Sequence, residues 1–284
     1  MKKILVPCDF SMPSLHAFQF ALDAAAKSSN GIVHVLHVIE LPVLHDSILM
    51  PVLTFEQDLM AELREKAEKE FEILLTKYNK NSITVITEVQ FGKISDMIRQ
   101  YTKDHAIDAI IMGSHGATGI REFFIGSNAE KVVRQATVPV LVLKNYYLGP
   151  IKNIVFPNTL ETEAQEDLMM KVKELQHFFN AHLHIVWINT PLNFTSDSVT
   201  RKRLEQFAKR FQFKNYTISV YSHVDPEEGI IEFAKTVDGS MIAMGTHSRK
   251  GFAHMMHGSL TESLVNHTDM LVWSYTLKGE PVVA

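Results

Sequence analysis

Cysteine is almost absent from this 284-residue sequence, in which Cys8 is the single example. One cysteine cannot form an internal disulfide or supply a cysteine-rich metal site. Its neighbour Asp9 disfavours the thiolate form, so we expect Cys8 to be structural. No apolar run approaches the roughly 20 residues of a membrane-spanning helix. The 28 basic and 32 acidic residues leave a net charge of −4 without a block of Lys or Arg, so we expect no contact with nucleic acid or with a membrane.

The N-terminus also lacks the apolar core of a signal peptide. Only a short apolar stretch separates Lys2 and Lys3 from Asp9, whereas a secretory signal needs about 7–15 apolar residues. We therefore expect a cytoplasmic protein. Hydrophobic residues make up 46% of the chain and charged residues 21%, a balance typical of folded globular proteins and unlike that of disordered ones.

The chain contains two copies of one unit. The segment at 2–7 (KKILVP) recurs at 152–157 (KNIVFP), and the segment at 109–115 (AIIMGSH) recurs at 241–247 (MIAMGTH). The offset between matching segments falls from 150 to 132, so the first copy holds about 18 additional residues between its second and third strands. Two copies also agree with the usual length of a protein domain, about 150 residues.

The boundary between the copies is expected near Gly149-Pro150, a dipeptide that marks turns. The predicted domains are therefore residues 1–146 and 147–284. The additional residues of the first copy are placed near 41–80, where apolar positions from 56 to 75 predict a helix. Thr54 and Gln57 form a candidate capping box at the start of that helix.

Short apolar or β-branched runs alternate with helical patterns in both copies. Strands are predicted in the first copy at 4–7, 32–39, 83–89, 109–113 and 138–143, and in the second copy at 154–156, 183–188, 216–223, 241–245 and 270–275. This alternation predicts an α/β fold, in which each copy is a doubly wound, Rossmann-like domain with a five-stranded parallel sheet. The continuous apolar character of the strands indicates sheets that are covered on both faces.

The glycine-rich stretch at 113–128 (GSHGATGIREFFIGSN) is the strongest indication of a ligand site. Gly113 follows a predicted buried strand and would let the chain turn sharply off it. Gly116 would let backbone amides approach an anion without a Cβ in the way. Gly126 and Ser127 open a helical run, whose unpaired N–H groups and positive dipole end attract phosphate. The stretch predicts a concave polyphosphate site, although an ordinary loop with Ser127 as a helix N-cap fits the same residues.

The common nucleotide-binding motifs are missing. The chain has no GxxxxGK[ST] motif, and no GxGxxG follows the first strand of either copy. Without a Walker lysine or an acidic metal pair, the sequence does not support strong phosphoryl-transfer catalysis.

These elements together resemble the universal stress protein family. The resemblance covers the whole chain as two tandem domains. It rests on Val6-Pro7-Cys8-Asp9 at the end of the first strand, on Gly113, Gly116 and Gly126-Ser127 in a G-x2-G-x9-G-S pattern, and on 137–142 (TVPVLV) at the fifth strand. It implies the strand order 3-2-1-4-5 and an adenine-nucleotide site. In that order Asp9 and Gly113 would flank one crevice at the topological switch between strands 1 and 4.

The resemblance implies a role for each matching residue. Asp9 would hold the ribose or the adenine edge, and Val38 would pack against the base. His115 could hydrogen-bond a phosphate or be a spectator. The expected ligand is ATP, ADP or AMP; Mg²⁺ could accompany it, although the sequence offers no dedicated metal carboxylates. The other implied contacts are Met112 and Gly113 at the base and ribose, and Gly116, Gly126, Ser127 and Asn128 at the phosphates.

The second copy departs from this pattern. Ser248 stands where Gly116 stands in the first copy, and Thr159 replaces Asp9, so the acceptor carboxylate is missing. We expect a weaker or altered site there. The glycine after the fourth strand and the Gly-Ser pair before the last helix are kept, as Gly245, Gly258 and Ser259.

Three functions remain open. The first, which the resemblance implies, is a stress-response sensor or regulator that binds an adenine nucleotide in its N-terminal domain. The second is a slow ATP hydrolase, with Ser127, His115 and a bound metal as its only candidate helpers. The third is a nucleotide-independent interaction or ligand-carrier module that uses the altered loop of the second copy.

The fifth strands, 138–144 and 269–275, are apolar and would lie at sheet edges. Exposed apolar edges favour strand pairing, and dimers of the family that the chain resembles join through this strand. We therefore expect the two domains to pair internally as a pseudo-dimer. Self-association of the whole chain into a homodimer stays open.

Overall fold

A computed structural model describes residues 1–40, 51–79, 83–115, 125–160, 165–247 and 257–277 of the chain. Strands and helices alternate in both copies. The elements of the first copy are β1 Lys3–Pro7, α1 Met12–Ala25, β2 Ile32–Ile39, α2 Pro51–Tyr78, β3 Thr84–Phe91, α3 Ile94–Asp104, β4 Ala109–Gly113, α4 Ser127–Gln135 and β5 Val140–Leu143. Those of the second copy are β6 Asn153–Pro157, α5 Glu166–Phe179, β7 His182–Asn189, α6 Asp197–Arg210, β8 Tyr216–Ser222, α7 Pro226–Thr236, β9 Met241–His247, α8 His257–His267 and β10 Leu271–Leu277.

Capping residues explain where two helices of the second copy begin and end. The carboxylate of Asp225 accepts the backbone N–H groups of Glu227 and Glu228 at 2.8 and 2.9 Å, which satisfies free donors in the first turn of α7. Asn180 follows α5 with a φ of 51°, the left-handed conformation that ends many helices.

Helix α2 accounts for most of the difference in length between the copies. It has 28 residues, whereas its counterpart α6 has 14. It begins at Pro51, so Thr54 lies inside the helix and the predicted capping box with Gln57 is wrong. Neither α2 nor any other helix of the described ranges combines the length and the apolar character that a bilayer-spanning segment requires.

The strands form one ten-stranded sheet in the order β3-β2-β1-β4-β5-β10-β9-β6-β7-β8. Each half therefore has the expected order 3-2-1-4-5, and its strands are parallel. The halves join where β5 and β10 pair antiparallel, with Leu141 opposite Trp273 and Val142 opposite Val272. The α/β fold with two doubly wound copies is confirmed.

The core consists of two apolar layers, one on each face of the sheet. Side chains alternate along β1, so that Ile4 and Val6 enter one layer and Leu5 enters the other. The first layer includes buried residues of α1, α2, α5 and α6, and the second includes those of α3, α4, α7 and α8. Both layers run through both copies.

The outermost strands are less covered than their sequences suggest. In β3, Thr84 and Ile86 are exposed, and Ile86 keeps 42% of its surface accessible. β8 at the opposite edge is mostly half-buried. The expectation of strands buried on both faces therefore holds for the central strands but is wrong for β3 and β8, which lie at the two ends of the sheet.

Each second strand carries a histidine at the equivalent position. His34 on β2 is 3% exposed; its Nδ1 is 3.0 Å from the Tyr101 hydroxyl, and its Nε2 has no hydrogen-bond partner within the described ranges. His184 on β7 is half-buried, with its Nδ1 2.9 Å from the Thr217 hydroxyl. Burial is the main cause that lowers the pKa of both imidazoles. The nearby charges of His105 and Lys3 lower the pKa of His34 further.

We predict that acidification destabilises the fold in part through His34. Below about pH 6.5 the unfolded chain takes up a proton on this side chain while the folded chain does not, so the free energy of unfolding falls as pH decreases through the lowered pKa. Melting temperatures measured by circular dichroism from pH 7.5 to 5 should fall less steeply for His34→Gln than for wild type. Replacing the exposed His177 of α5 by Gln is the matched control and should leave the slope unchanged. Equal slopes for wild type and His34→Gln would contradict the prediction.

Candidate functional site

The carboxyl ends of β1 and β4 lie side by side at the topological switch point of the first copy, the place where open α/β sheets form a ligand crevice. β1 pairs in parallel with β2 on one side and with β4 on the other. The chain continues from β1 into α1 and from β4 toward α4, and the buried residues of these two helices belong to opposite core layers. Because the two connections leave toward opposite faces, the strand ends between them are accessible to a ligand.

Asp9 lies two residues after the end of β1 and is exposed. Its Oδ1 accepts the backbone N–H of Ser11 at 3.1 Å and the Ser11 hydroxyl at 2.5 Å. Phe10, between these two residues, has a φ of 63°, the left-handed conformation that lets the chain reverse in this tight turn. The turn thus fixes a carboxylate at the end of β1.

His37 on β2 supports this turn, although sequence analysis did not identify it. Its Nδ1 lies 2.7 Å from the carbonyl oxygen of Cys8, so a protonated Nδ1 donates to that oxygen. The His37 ring also packs on the Phe10 ring, with 4.8 Å between the centroids. Its only signal in the sequence is its position next to Val38, at the carboxyl end of the strand.

Cys8 is buried beneath the turn and has a structural environment. Burial is the largest cause that raises the pKa of its thiol, to about 11, while the charge of Asp9 adds a smaller increase. The Cys8 Sγ atom lies 3.6 Å from the hydroxyl oxygen of Ser14 in α1. The thiol therefore stays protonated near neutral pH, mainly because it is desolvated rather than because a carboxylate is adjacent.

Gly113 permits close packing rather than a sharp turn. It is the last residue of β4, paired with Leu143, and its φ does not lie in the left-handed region. A Cβ added at Gly113 would lie 2.6 Å from the Cβ and 2.7 Å from the carbonyl carbon of Pro13 at the start of α1. The absence of a side chain therefore brings the first turn of α1 against the end of β4, which corrects the role assigned from the sequence.

The two ends of the glycine-rich loop lie close together beside the carboxyl end of β4. Ser114 donates its N–H to the carbonyl oxygen of Leu143, and its own carbonyl oxygen accepts the N–H of Gly126 at 2.7 Å. The side chain of Ser114 is buried and lies 2.9 Å from Nδ1 of the half-buried His115. Gly116, for which the sequence predicts close approach to an anion, lies outside the described residues.

The N-terminus of α4 follows this closure and carries no side-chain cap. Gly126 is the N-cap residue, with φ −65° and ψ 145°, and the first turn bonds through Glu130 N–H to the Gly126 carbonyl oxygen. Ser127 is the first helical residue and is exposed, so the alternative in which it caps the helix is wrong; Asn128 is half-buried. The amides between Gly126 and Glu130, which begin with those of Ser127 and Asn128, can thus donate to an anion.

Val38 and Met112 lie on the strands that flank β1. Met112 is 6% exposed on β4, and the partly buried Val38 on β2 packs against the same core layer. The fold thus brings to one edge of the sheet a carboxylate from the β1 turn, apolar side chains from β2 and β4, and the amides of a helix N-terminus.

A comparison with protein families agrees with this arrangement. The model of the universal stress protein family matches residues 1–144 and again residues 150–273. The chain belongs to the universal stress protein family. It is a tandem member, since the family model matches it twice.

Single-copy universal stress proteins are similar to half of this chain. Universal stress protein MJ0577 of Methanocaldococcus jannaschii is 29% identical over 154 residues, which cover 50% of this chain and 94% of that protein. Universal stress protein G of Salmonella typhimurium is 27% identical over 146 residues, which cover 50% of this chain and 99% of that protein.

A solved structure extends the similarity to both copies. The universal stress protein from Archaeoglobus fulgidus is 19% identical and has a TM-score of 0.74, with 98% of this chain and 97% of that chain covered. At this identity the likeness shows the shared two-copy fold.

The second copy of this universal stress protein forms the corresponding turn with different side chains. Asn158 occupies the position of Cys8 and is buried; its Oδ1 accepts the N–H of Leu160 at 2.6 Å, and its Nδ2 donates to the side-chain oxygen of Gln165 at 3.2 Å. Leu160 has a φ of 59°, matching Phe10. The turn is therefore preserved, but Thr159 brings no carboxylate to it.

The fourth and fifth strands of the second copy are longer than those of the first. β9 continues through Thr246 to His247, paired with Thr276 and Leu277 of β10, whereas β4 ends at Gly113. Helix α8 begins at His257, so Gly258 and Ser259 fall in its first turn, and Gly258 does not occupy the cap position that Gly126 has. Ser248 lies outside the described residues. The residues of the second copy that match the two ends of the glycine-rich loop therefore lie inside a strand and inside a helix. In the first copy, the loop instead begins after the strand and ends at the helix cap.

We predict that Gly113→Ala destabilises the protein by roughly 1–3 kcal/mol, because its Cβ would collide with the backbone of Pro13. Gly245→Ala is the matched control. A Cβ at Gly245 would meet Cδ2 of Leu168 at 2.5 Å, the end of a side chain that can rotate, so the loss should be smaller. Urea denaturation of both variants measures the difference, and equal losses would contradict the packing role of Gly113.

Proposed function

We propose that the N-terminal copy of this universal stress protein binds ATP or a related adenine nucleotide, and that the protein is a cytoplasmic stress-response regulator rather than a catalyst. The observation that carries the proposal is the convergence of two features on one crevice. An exposed carboxylate, Asp9, follows β1, and an N-terminus without a side-chain cap, at Gly126, follows β4. The crevice thus offers an acceptor for hydroxyl groups and donors for phosphates.

Each part of a nucleotide has a matching group. The Asp9 carboxylate would accept hydrogen bonds from ribose hydroxyls or from the adenine edge. Val38 and Met112 would contact the base, and the backbone of Gly113 would lie beside the ribose. The backbone amides of Ser127 and Asn128 would donate to the phosphates at the positive end of the α4 dipole. Gly126 would leave space beside them, with Gly116 and His115 on the same loop.

The second copy is proposed to bind nucleotide more weakly or not at all. Its kept residues, Gly245, Gly258 and Ser259, would form a partial phosphate site together with Ser248. Thr159 cannot replace the Asp9 carboxylate as a paired acceptor for two hydroxyl groups, because a single hydroxyl oxygen has fewer acceptor positions. One nucleotide per chain is therefore expected.

Mg²⁺ is expected to accompany the nucleotide as a bound counterion. Among the residues that the structure describes, no three His, Cys, Asp or Glu side chains lie together as a metal site. An accompanying Mg²⁺ would take its ligands mainly from phosphate oxygens and water.

We also propose that residues 1–146 and 147–284 form two domains that pair as an intramolecular pseudo-dimer. The Tyr146 hydroxyl donates to the carboxylate of Asp23 in α1 at 2.5 Å, which ties the end of the first domain to its own helix. Gly149 follows with a φ of 144°, which a residue with a side chain rarely adopts. The antiparallel pairing of β5 with β10 supports the pseudo-dimer.

We predict that Gly126→Val weakens ATP binding at least tenfold, because a branched side chain would stand beside the first amides of α4. Gly258→Val introduces the same substitution at the residue that matches Gly126 in the repeat, in the first turn of α8, and should leave affinity within twofold. Isothermal titration of the full chain with ATP measures both. Unchanged affinity in Gly126→Val, or an equal loss in Gly258→Val, would contradict the proposed site; hydrolysis above a buffer control would favour the ATPase alternative.

A further inference from the structure

The residue before the α4 cap is held by the other copy of the protein. The N–H of Ile125 donates to Oδ1 of Asn266, which lies 141 residues further along the chain. Asn266 is half-buried in the last turn of α8. Ile125 and Gly126 are consecutive, so one amide at the end of the glycine-rich loop is bound by the second copy and the next is bound by the Ser114 carbonyl oxygen.

The position of Asn266 is itself fixed against the first copy. Its backbone carbonyl oxygen accepts a hydrogen bond from Nζ of Lys144, the residue that follows β5. In the opposite direction, the Thr276 hydroxyl in β10 donates to the carbonyl oxygen of Val133 in α4 at 2.9 Å. Both contacts depend on the pairing of β5 with β10, which brings the last helix of each copy beside the fifth strand of the other.

The equivalent position in the first copy has a different partner. Arg134 stands 132 residues before Asn266 and corresponds to it in the repeat. Its Nε donates to the carboxylate of Glu262 in α8 at 2.6 Å, and its guanidinium also lies 3.3 Å from Glu130 in its own helix. Arg134 thus joins two helices through its exposed guanidinium and the half-buried carboxylate of Glu262, whereas Asn266 bonds a backbone amide next to the candidate site.

We propose that Asn266 of the C-terminal copy is a positioning residue for the nucleotide site of the N-terminal copy. The inference rests on the proposed function and extends it to regulation. By holding Ile125, Asn266 sets the direction in which the chain enters α4, and therefore where the amides of Ser127 and Asn128 point. A copy that has lost its own acceptor carboxylate then contributes to the site of its neighbour.

A coupling between the domains follows from this contact. If Asn266 favours the loop geometry that binds phosphate, then bound phosphate must favour the contact of Asn266 with Ile125 to the same extent, because coupling free energies are reciprocal. Nucleotide occupancy in the first copy would thereby be transmitted to α8, whose first turn contains Gly258 and Ser259 of the second copy.

The test uses the full chain and compares Asn266→Ala with Arg134→Ala. Both substitutions remove one side-chain contact between the copies, but only Asn266→Ala releases the Ile125 amide; the backbone bond from Lys144 is available in both. We expect about tenfold weaker ATP binding by titration calorimetry for Asn266→Ala, the effect of one lost hydrogen bond, and a change within twofold for Arg134→Ala.

Amide hydrogen exchange at Ile125 without nucleotide provides an independent measurement. Exchange should be about tenfold faster in Asn266→Ala, unchanged in Arg134→Ala, and close to wild type in Asn266→Asp, which keeps a side-chain oxygen acceptor.

Unchanged affinity in Asn266→Ala, or an equal loss in Arg134→Ala, would overturn the role of Asn266 while leaving the nucleotide site in place. A wild-type chain that binds no ATP would overturn the proposed function and with it the positioning role. Protection of Ile125 that depends on Asn266 would then show that the contact exists and that the failure lies in the nucleotide site.

Discussion

The antiparallel pairing of β5 with β10 is the interaction on which the rest of the molecule depends. It turns two five-stranded sheets into one and lets both apolar layers run from one copy into the other. It also protects two apolar edges that would otherwise be open to pairing with other chains. The last helix of each copy, α4 or α8, follows the fourth strand. The same pairing therefore places α4 and α8 side by side, so that Arg134 of α4 donates to Glu262 of α8.

The two copies preserve the backbone more strictly than the side chains. Phe10 and Leu160 share a left-handed φ at the same position of the turn, but the acceptor that holds the turn is Asp9 in one copy and Asn158 in the other. The first solution leaves an exposed carboxylate, and the second uses a buried amide. The duplicated fold therefore keeps the same turn in both copies, while only the first copy has an exposed carboxylate there.

The sequence predicts the strands well because apolar runs and the repeat reinforce each other, and the strand order follows from the family resemblance. The sequence does not reveal that Gly113 permits close packing, because a glycine at the end of a strand suits a turn and a close contact equally. Only the position of Pro13 decides between them. Thr54 was misplaced because local capping signals did not reveal that α2 begins at Pro51. Asn266 carries no sequence signal for its contact, since its partner is brought near only by the pairing of the two sheets.

The central claim is that one crevice per chain, between β1 and β4, binds an adenine nucleotide. Native mass spectrometry of the full chain with increasing ATP tests this most directly, because it counts bound molecules. We expect a single ATP adduct at low ATP concentration, with a second adduct only at much higher ATP concentration or not at all. No adduct at millimolar ATP, or two adducts that appear together, would contradict it.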